Sequence, residues 1–295
     1  MFKPYRRPTV AVIGAGPAGC AAAAECAFSG FETSLFDANT QPGGTIVNGA
    51  SSGGAASGSH QGSAELTKRY HFNVPYLKLT DTDGSVASFV THLEAALNAA
   101  GAKLELGVTV TTATFDEERG QWAVASETSN GSERPVEYFD IVVRATGSSA
   151  SNGVRPPAFK AATGPGIKED ETDHLHLGIH PIGLPNALFV DGPYPANGLD
   201  SRLMRKKPLA IAEARGEYCR RYARFLEVNG PGELRVQPDH WLAQQATVKQ
   251  EIANLTSFEP FPYKVYLLAD SEKASSKASS KASSKAPSKT KATAK

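Results

Sequence analysis

Residues 9–19 read Thr9-Val10-Ala11-Val12-Ile13-Gly14-Ala15-Gly16-Pro17-Ala18-Gly19, an apolar strand pattern that runs into three glycines spaced G-x-G-x-x-G. An Ala-rich helical segment follows, and a second apolar segment, residues 31–36, ends at Asp37. In such a unit Gly14 permits a tight turn, Gly16 lets backbone N–H groups approach a pyrophosphate, and Gly19 lets the helix pack on the sheet. The sequence therefore predicts an α/β fold with a Rossmann-like dinucleotide-binding unit.

The predicted binding site lies at the N-terminal end of this helix, where the helix dipole favours phosphate. Its expected lining residues are Gly14, Gly16, Pro17, Ala18 and Gly19. Asp37 comes eighteen residues after Gly19, where its carboxylate can accept hydrogen bonds from both hydroxyls of an adenosine ribose. A 2′-phosphate would be repelled there, so FAD or NAD fits better than NADP.

A second glycine pair follows the acid, in Gln41-Pro42-Gly43-Gly44-Thr45. Here the chain resembles the flavin-containing and Baeyer–Villiger monooxygenases, in which a glycine pair followed by Thr passes close to the flavin. The resemblance implies that FAD is the cofactor and that Gly43, Gly44 and Thr45 help to hold it.

Two later segments extend the resemblance. Residues 138–147 form a mostly apolar strand pattern that stops on Ala145-Thr146-Gly147, similar to the strand with which these flavoproteins leave their FAD domain. Residues 180–193 are similar to the strand by which they re-enter it. The resemblance implies that Gly147 lies against the cofactor and that the backbone near Val110 contacts the adenine.

The remaining pattern fits an FAD-binding domain of the glutathione-reductase type with a β-meander. Apolar residues at helical spacing predict a core-facing helix over residues 86–100, ended by Gly101. Strands are expected over residues 104–112, 121–126 and 136–143. A further helix is expected over residues 207–226, with a solvated face that would carry Arg215, Arg220, Arg221 and Arg224.

The chain departs from the monooxygenases in one respect. Only residues 148–177, thirty residues, separate the two FAD-domain strands, which is too few for the NADPH domain that the family inserts there. The Phe-Gly-His-Trp signature of Baeyer–Villiger enzymes is missing from this segment, and Ile46 replaces a common aromatic residue. We therefore expect an FAD-binding domain over residues 1–272, with 148–177 as a short link, and a separate tail over 273–295.

Composition indicates a cytoplasmic protein with a basic tail. The 295 residues are 40% hydrophobic, with neither a secretory h-region nor an apolar run that approaches the length, about eighteen residues, needed to span a bilayer. Residues 273–295 repeat Lys-Ala-Ser-Ser, and their seven lysines turn a net charge of −6 over the rest into +1. Such a tail cannot bury enough surface to order itself, so we expect disorder, and neither nucleic acid nor membrane as a partner.

Candidates for chemistry outside the glycine motif are few. Asn73 lies in an aromatic and polar segment, residues 70–76, at a position where the monooxygenases bring a segment past the flavin. His180 precedes the flavin-proximal strand and is the preferred histidine for acid–base catalysis, with a structural role as the alternative. His174 and His176 alternate along a strand pattern, but no third ligand is evident, so no metal site is expected.

These observations predict an FAD-dependent, monooxygenase-like oxidoreductase that acts on a small organic molecule, a reaction type that suits specialised metabolism. Electrons would come from transiently bound NAD(P)H, from a separate reductase, or from the substrate. One alternative is a non-catalytic FAD-bound scaffold with a protein partner. Another is an NAD-dependent dehydrogenase with a single Rossmann domain, for which the Gly-Gly-Thr and Ala-Thr-Gly segments would be coincidences.

Overall fold

A computed structural model of the chain describes residues 6–44, 47, 86–147, 157–161, 175–176, 179–190, 208–230 and 232–235. In chain order the elements are β1 (Val10–Ile13), α1 (Pro17–Phe28), β2 (Thr33–Asp37), α2 (Val86–Ala100), β3 (Lys103–Leu106), β4 (Val108–Asp116), β5 (Gln121–Thr128), β6 (Glu137–Phe139), β7 (Ile141–Arg144), β8 (Ala158–Lys160), β9 (Leu175–His176), β10 (His180–Pro181), β11 (Ala187–Phe189) and α3 (Pro208–Asn229).

Five strands form a parallel sheet in the order β11-β7-β1-β2-β3. The central strand β1 is Val-Ala-Val-Ile and is buried along its whole length. Continuous apolar strands of this kind are typical of parallel sheets that are covered on both faces. The predicted α/β class with a Rossmann-like unit is confirmed.

Two different layers cover the sheet. Side chains alternate along β1, so that Val10 and Val12 pack with residues of α1, α2 and α3. Ala11 and Ile13 face the other way, into a core that is shared with a second sheet in the order β6-β5-β4-β8. In this second sheet β4, β5 and β6 form the predicted antiparallel meander, and β8 adds to β4 in parallel. The fold therefore has three layers: helices, parallel sheet and meander.

The extent of two predicted strands was wrong. Each predicted segment forms two shorter strands, which belong to different sheets. The segment 104–112 breaks at Gly107, which has φ +69, so that β3 ends the parallel sheet and β4 begins the meander. The segment 136–143 breaks at Asp140, whose carboxylate accepts hydrogen bonds from Arg6 and from Thr9 N. An isolated glycine such as Gly107 is a local signal for a bend in a strand pattern, but the sequence does not show which sheet each half joins.

The helix predictions hold in extent but not fully in orientation. Helix α2 covers Val86–Ala100 as predicted, and Gly101 follows at φ +84. Helix α3 is three residues longer than expected at its C-terminal end. Arg215 was wrongly assigned to the solvated face: its side chain is buried, and its Nη1 donates to Val190 O at 2.7 Å. The reason is that this side of α3 packs against the sheet, at the end of β11.

Helices α1 and α3 run in parallel and in close contact. A Cβ on Gly216 would lie 2.6 Å from the backbone carbon of Ala21, and one turn later Arg220 Nε pairs with Glu25 Oε2 at 3.1 Å. Because both contacts advance by four residues in the same direction, both helices begin at the same edge of the molecule. That edge is the one where the strands of the parallel sheet end.

Within the residues that the structure describes, no helix combines the length and apolarity needed to cross a lipid bilayer. The predicted tail, residues 273–295, lies outside the described residues, and the predicted link, 148–177, is described only at 157–161 and 175–176.

Candidate functional site

The order of the parallel strands locates the candidate site. From β1 the chain first extends the sheet through β2 and β3 on one side, and only later through β7 and β11 on the other. In open parallel sheets ligands bind beyond the carboxyl ends of the strands where this order reverses. Here that point lies between β1 and β7, which are followed by Gly14 and by Ala145.

The first and third glycines of the motif are required by contacts within the protein. Gly14 has φ +106, and a Cβ on it would lie 2.3 Å from Ala145 O. A Cβ on Gly19 would lie 1.8 Å from Gly14 O. The turn, the start of α1 and the end of β7 therefore meet with no room for a side chain at either glycine.

The second glycine differs, because it faces open space. A Cβ on Gly16 would meet no atom within 4 Å, and residues 16–18 are partly exposed. Gly16 caps α1 without a side-chain hydrogen bond, and Pro17 begins the helix. The first turn of a helix leaves backbone N–H groups without partners in the helix, and its dipole favours an anion. This open floor leaves room for an anion, and binding of a diphosphate there stays a prediction.

The second glycine pair lies on the first motif. Gly43 N donates to Ala15 O at 2.7 Å, and a Cβ on Gly44 would lie 2.8 Å from Gly16 Cα. The segment after β2 therefore returns to the floor at Gly16, and the contact of Gly43 and Gly44 with a flavin stays a prediction. Thr45 lies outside the described residues.

Asp37 reaches the motif, but it already has protein partners. At the end of β2 its Oδ2 accepts a 2.5 Å hydrogen bond from Ala15 N. Its Oδ1 accepts from Asn39 N at 2.7 Å and from Asn39 Nδ2 at 2.8 Å. The sequence analysis did not single out Asn39, although Asp-x-Asn after a strand is a signal for a local turn of this kind.

The other predicted site residues differ in their surroundings. Val110 lies on β4, with its side chain buried between the two sheets, and Gly147 follows β7 at φ +77 with open space around it. Their contacts with a cofactor stay predictions. Asn73 lies outside the described residues.

His180 is buried between β10 and α3. Its Nε2 lies 2.5 Å from the Tyr218 hydroxyl, and its ring packs against Tyr222. Burial raises the pKa of both tyrosines, so both stay neutral phenols near pH 7. These contacts give His180 a packing role beside the end of β11, and its use in acid–base chemistry stays a prediction.

Neither a thiol pair nor a metal centre is evident in the described part of the chain. Cys20, Cys26 and Cys219 are free and buried, and burial raises the pKa of each, to about 12 for Cys219. Among the described residues, no group of three His, Cys, Asp or Glu side chains could hold a metal ion.

Several solved structures match half of the chain or more. Thermovibrio ammonificans THI4 is 15% identical at a TM-score of 0.45, and the match covers 76% of this chain and 90% of that chain. Lactococcus lactis thioredoxin reductase is 20% identical at 0.32, covering 50% and 37%. Cyclohexanone monooxygenase from Rhodococcus sp. Phi1, solved with NADP⁺, is 24% identical at 0.34, covering 51% and 28%. The match therefore spans about a third of the reductase and of the monooxygenase.

No curated protein sequence matches the chain. Residues 8–178, more than half of it, match the family described as pyridine nucleotide-disulphide oxidoreductase. This range includes the glycine motif, Asp37, the meander and the Ala145-Thr146-Gly147 strand end. The chain belongs to this family of FAD-dependent oxidoreductases.

Proposed function

We propose that the protein binds FAD at the carboxyl edge of its parallel sheet and acts as a monooxygenase-like oxidoreductase on a small organic substrate. One observation carries the cofactor assignment: Gly16 provides an open, side-chain-free floor at the start of α1, while Gly14 and Gly19 are closed by protein contacts. The backbone N–H groups of the first turn of α1 would hold the diphosphate, and Asp37 would accept from the adenosine ribose.

When bound, the flavin supplies the redox chemistry, either by accepting a hydride or by activating O₂. The chain binds and orients it. Gly43 and Gly44 lie against the floor at Gly16. The resemblance to the monooxygenases in this segment and in residues 138–147 supports the monooxygenase-like assignment.

The short connection between β7 and β11 limits where the electrons can come from. These strands are adjacent in the sheet, and 42 residues, 145–186, join them, of which some form β8, β9 and β10. A second nucleotide-binding domain does not fit in this length. We propose that NAD(P)H binds transiently without its own domain, that a separate reductase supplies electrons, or that the substrate does.

The same short connection supports a second candidate function. A chain that keeps the FAD site and has no second nucleotide domain could serve as an FAD-bound scaffold for a protein partner. The two candidates differ in whether the bound flavin can be reduced.

An absorption spectrum of the purified protein tests the cofactor assignment. We expect flavin bands, and chromatography of the released nucleotide should identify FAD. Asp37→Lys should lose the bands, because the lysine removes the acceptor at the ribose position. Glu118→Lys makes the same charge change at an exposed residue remote in sequence from the site and should keep them.

Anaerobic addition of NADPH, NADH or candidate substrates then separates enzyme from scaffold. Bleaching of the flavin by any of them supports the enzyme, and a yellow protein that none of them reduces supports the scaffold. A colourless protein that binds NAD and not FAD would contradict both and favour the dehydrogenase alternative.

A further inference from the structure

The carboxylate of Asp37 has little acceptor capacity left. A carboxylate offers about four lone-pair positions for hydrogen bonds. Asn39 N and Asn39 Nδ2 occupy those of Oδ1, and Ala15 N occupies one of Oδ2. One position therefore remains for a ligand, on Oδ2, whereas the adenosine ribose presents two hydroxyls. The sequence-based expectation that Asp37 binds both hydroxyls does not account for these three partners.

Asn39 presents the missing acceptor. A carboxylate can only accept, so the amide group that faces Asp37 is the NH₂, and the carbonyl Oδ1 of Asn39 is directed away from it. Asn39 is half-buried, as is Asp37, so both side chains remain accessible at the carboxyl end of β2. The Asn39 carbonyl oxygen is thus a second acceptor at the carboxyl end of β2, on a side chain that is hydrogen-bonded to Asp37.

The backbone of Asn39 is held on both sides. Its N–H donates to Asp37 Oδ1, and its main-chain oxygen accepts from Gly107 N at 2.9 Å, at the crossing from β3 to β4. Its side chain is fixed in turn by the hydrogen bond from Nδ2. An acceptor that is already oriented loses little entropy on binding.

We propose that Asn39 Oδ1 and Asp37 Oδ2 together bind the ribose diol of the adenosine half of the cofactor, one hydroxyl each. The inference rests on the proposed FAD function and adds a binding residue to it.

The alternative is that Asn39 only holds Asp37 in place. A binding cycle separates the two roles. The apo-protein is titrated with FAD and with two analogues, one lacking the 2′-hydroxyl and one lacking the 3′-hydroxyl of the adenosine, and flavin fluorescence reports the Kd. The variant is Asn39→Ala, which keeps the backbone N–H bond to Asp37. Thr40→Ala, at the exposed neighbouring residue, is the matched control.

We expect Asn39→Ala to weaken FAD binding by about fivefold to tenfold, the value of one hydrogen bond to the ribose. For one of the two deoxy analogues Asn39→Ala should raise the Kd by less than about twofold. The substitution and the missing hydroxyl of that analogue would delete the same hydrogen bond. Thr40→Ala should bind all three ligands as the wild type does. Thermal unfolding of the apo-proteins checks that the variants fold, and Asn39→Ser repeats the cycle if Asn39→Ala does not.

Two results overturn the inference alone. One is an unchanged Kd for FAD in the Asn39 variant. The other is an equal loss for FAD and for both analogues, which would make Asn39 only a support for Asp37. A wild-type protein that does not bind FAD overturns the proposed function, and the inference with it, so the two failures are distinguishable.

Discussion

The carbonyl oxygen of Ala145 lies 2.3 Å from the position that a Cβ on Gly14 would occupy. The two residues follow neighbouring parallel strands, β1 and β7, and Ala145 N donates to Ile13 O at 2.7 Å, so the approach is part of the sheet itself. Gly16, two residues on, has no such neighbour. The glycines of one motif therefore differ: Gly14 and Gly19 allow the backbone to pack, and Gly16 leaves open space at the start of α1.

Gly14→Ala should destabilise the protein itself. The added methyl group meets backbone atoms at a residue with φ +106, and we expect a loss of about 2–4 kcal/mol in the free energy of unfolding. Urea denaturation followed by circular dichroism measures it. Gly120→Ala is the control, since Gly120 has φ +65 but open space, and should lose only about 1 kcal/mol. Equal losses would show that the contact with Ala145 is not tight.

Gly16→Ala should separate binding from folding. Gly16 has φ −71 and open space, so the methyl group is tolerated, and we expect a change in stability within about 0.5 kcal/mol. The same methyl group would occupy the floor for the diphosphate and should weaken FAD binding by about tenfold or more, a crowding cost of about 1.4 kcal/mol. A titration of the apo-protein with FAD measures the Kd. Unchanged affinity would place the diphosphate elsewhere.

Gly216→Ala should be destabilising although it lies within a helix. Replacing an exposed glycine in a helix interior by alanine normally raises the free energy of unfolding by about 1 kcal/mol. Here the methyl group would lie 2.6 Å from the backbone carbon of Ala21, so α1 and α3 would have to separate, and we expect a loss of about 1–3 kcal/mol. Thermal and urea unfolding measure the sign, and a stabilised variant would contradict the close helix contact.

Arg215→Ala should cost more than Arg221→Ala. Arg215 is buried and bonds Val190 O, so its removal leaves an unpaired carbonyl and a cavity, and we expect a loss of about 2–3 kcal/mol. The Arg221 side chain is 38% exposed and pairs with Glu217 one turn away, which is worth about 0.5 kcal/mol. Paired urea denaturation curves make the comparison, and equal small losses would return Arg215 to the solvated face.

The three cysteines should resist labelling in the native protein. Each is buried and has a raised pKa, so few thiolates form and reagents cannot reach them. A thiol reagent at pH 8 should label none rapidly in the folded protein and all three in urea. Rapid labelling of one thiol under native conditions would contradict the burial of α1 against α3.

Sequence patterns were sufficient to predict the bounds of those elements in which local signals and tertiary packing agree. Helix α2 has the predicted bounds because its apolar spacing and Gly101 are both local signals. The split at Gly107 and the burial of Arg215 were missed, since both depend on contacts with residues distant in sequence. Asn39 was missed because the hydrogen bond from Gly107 N to its main-chain oxygen, and the one from Ala15 N to Asp37, form only in the folded chain.

The spacing of glycines and apolar residues determined by itself the fold class, because turn geometry and strand periodicity are properties of short segments. The tertiary structure decided which half of each long strand joins which sheet, which arginine leaves solvent, and how the carboxylate of Asp37 is used. Those outcomes depend on which distant backbone groups compete for the same hydrogen bonds, and only the packed chain brings these groups together.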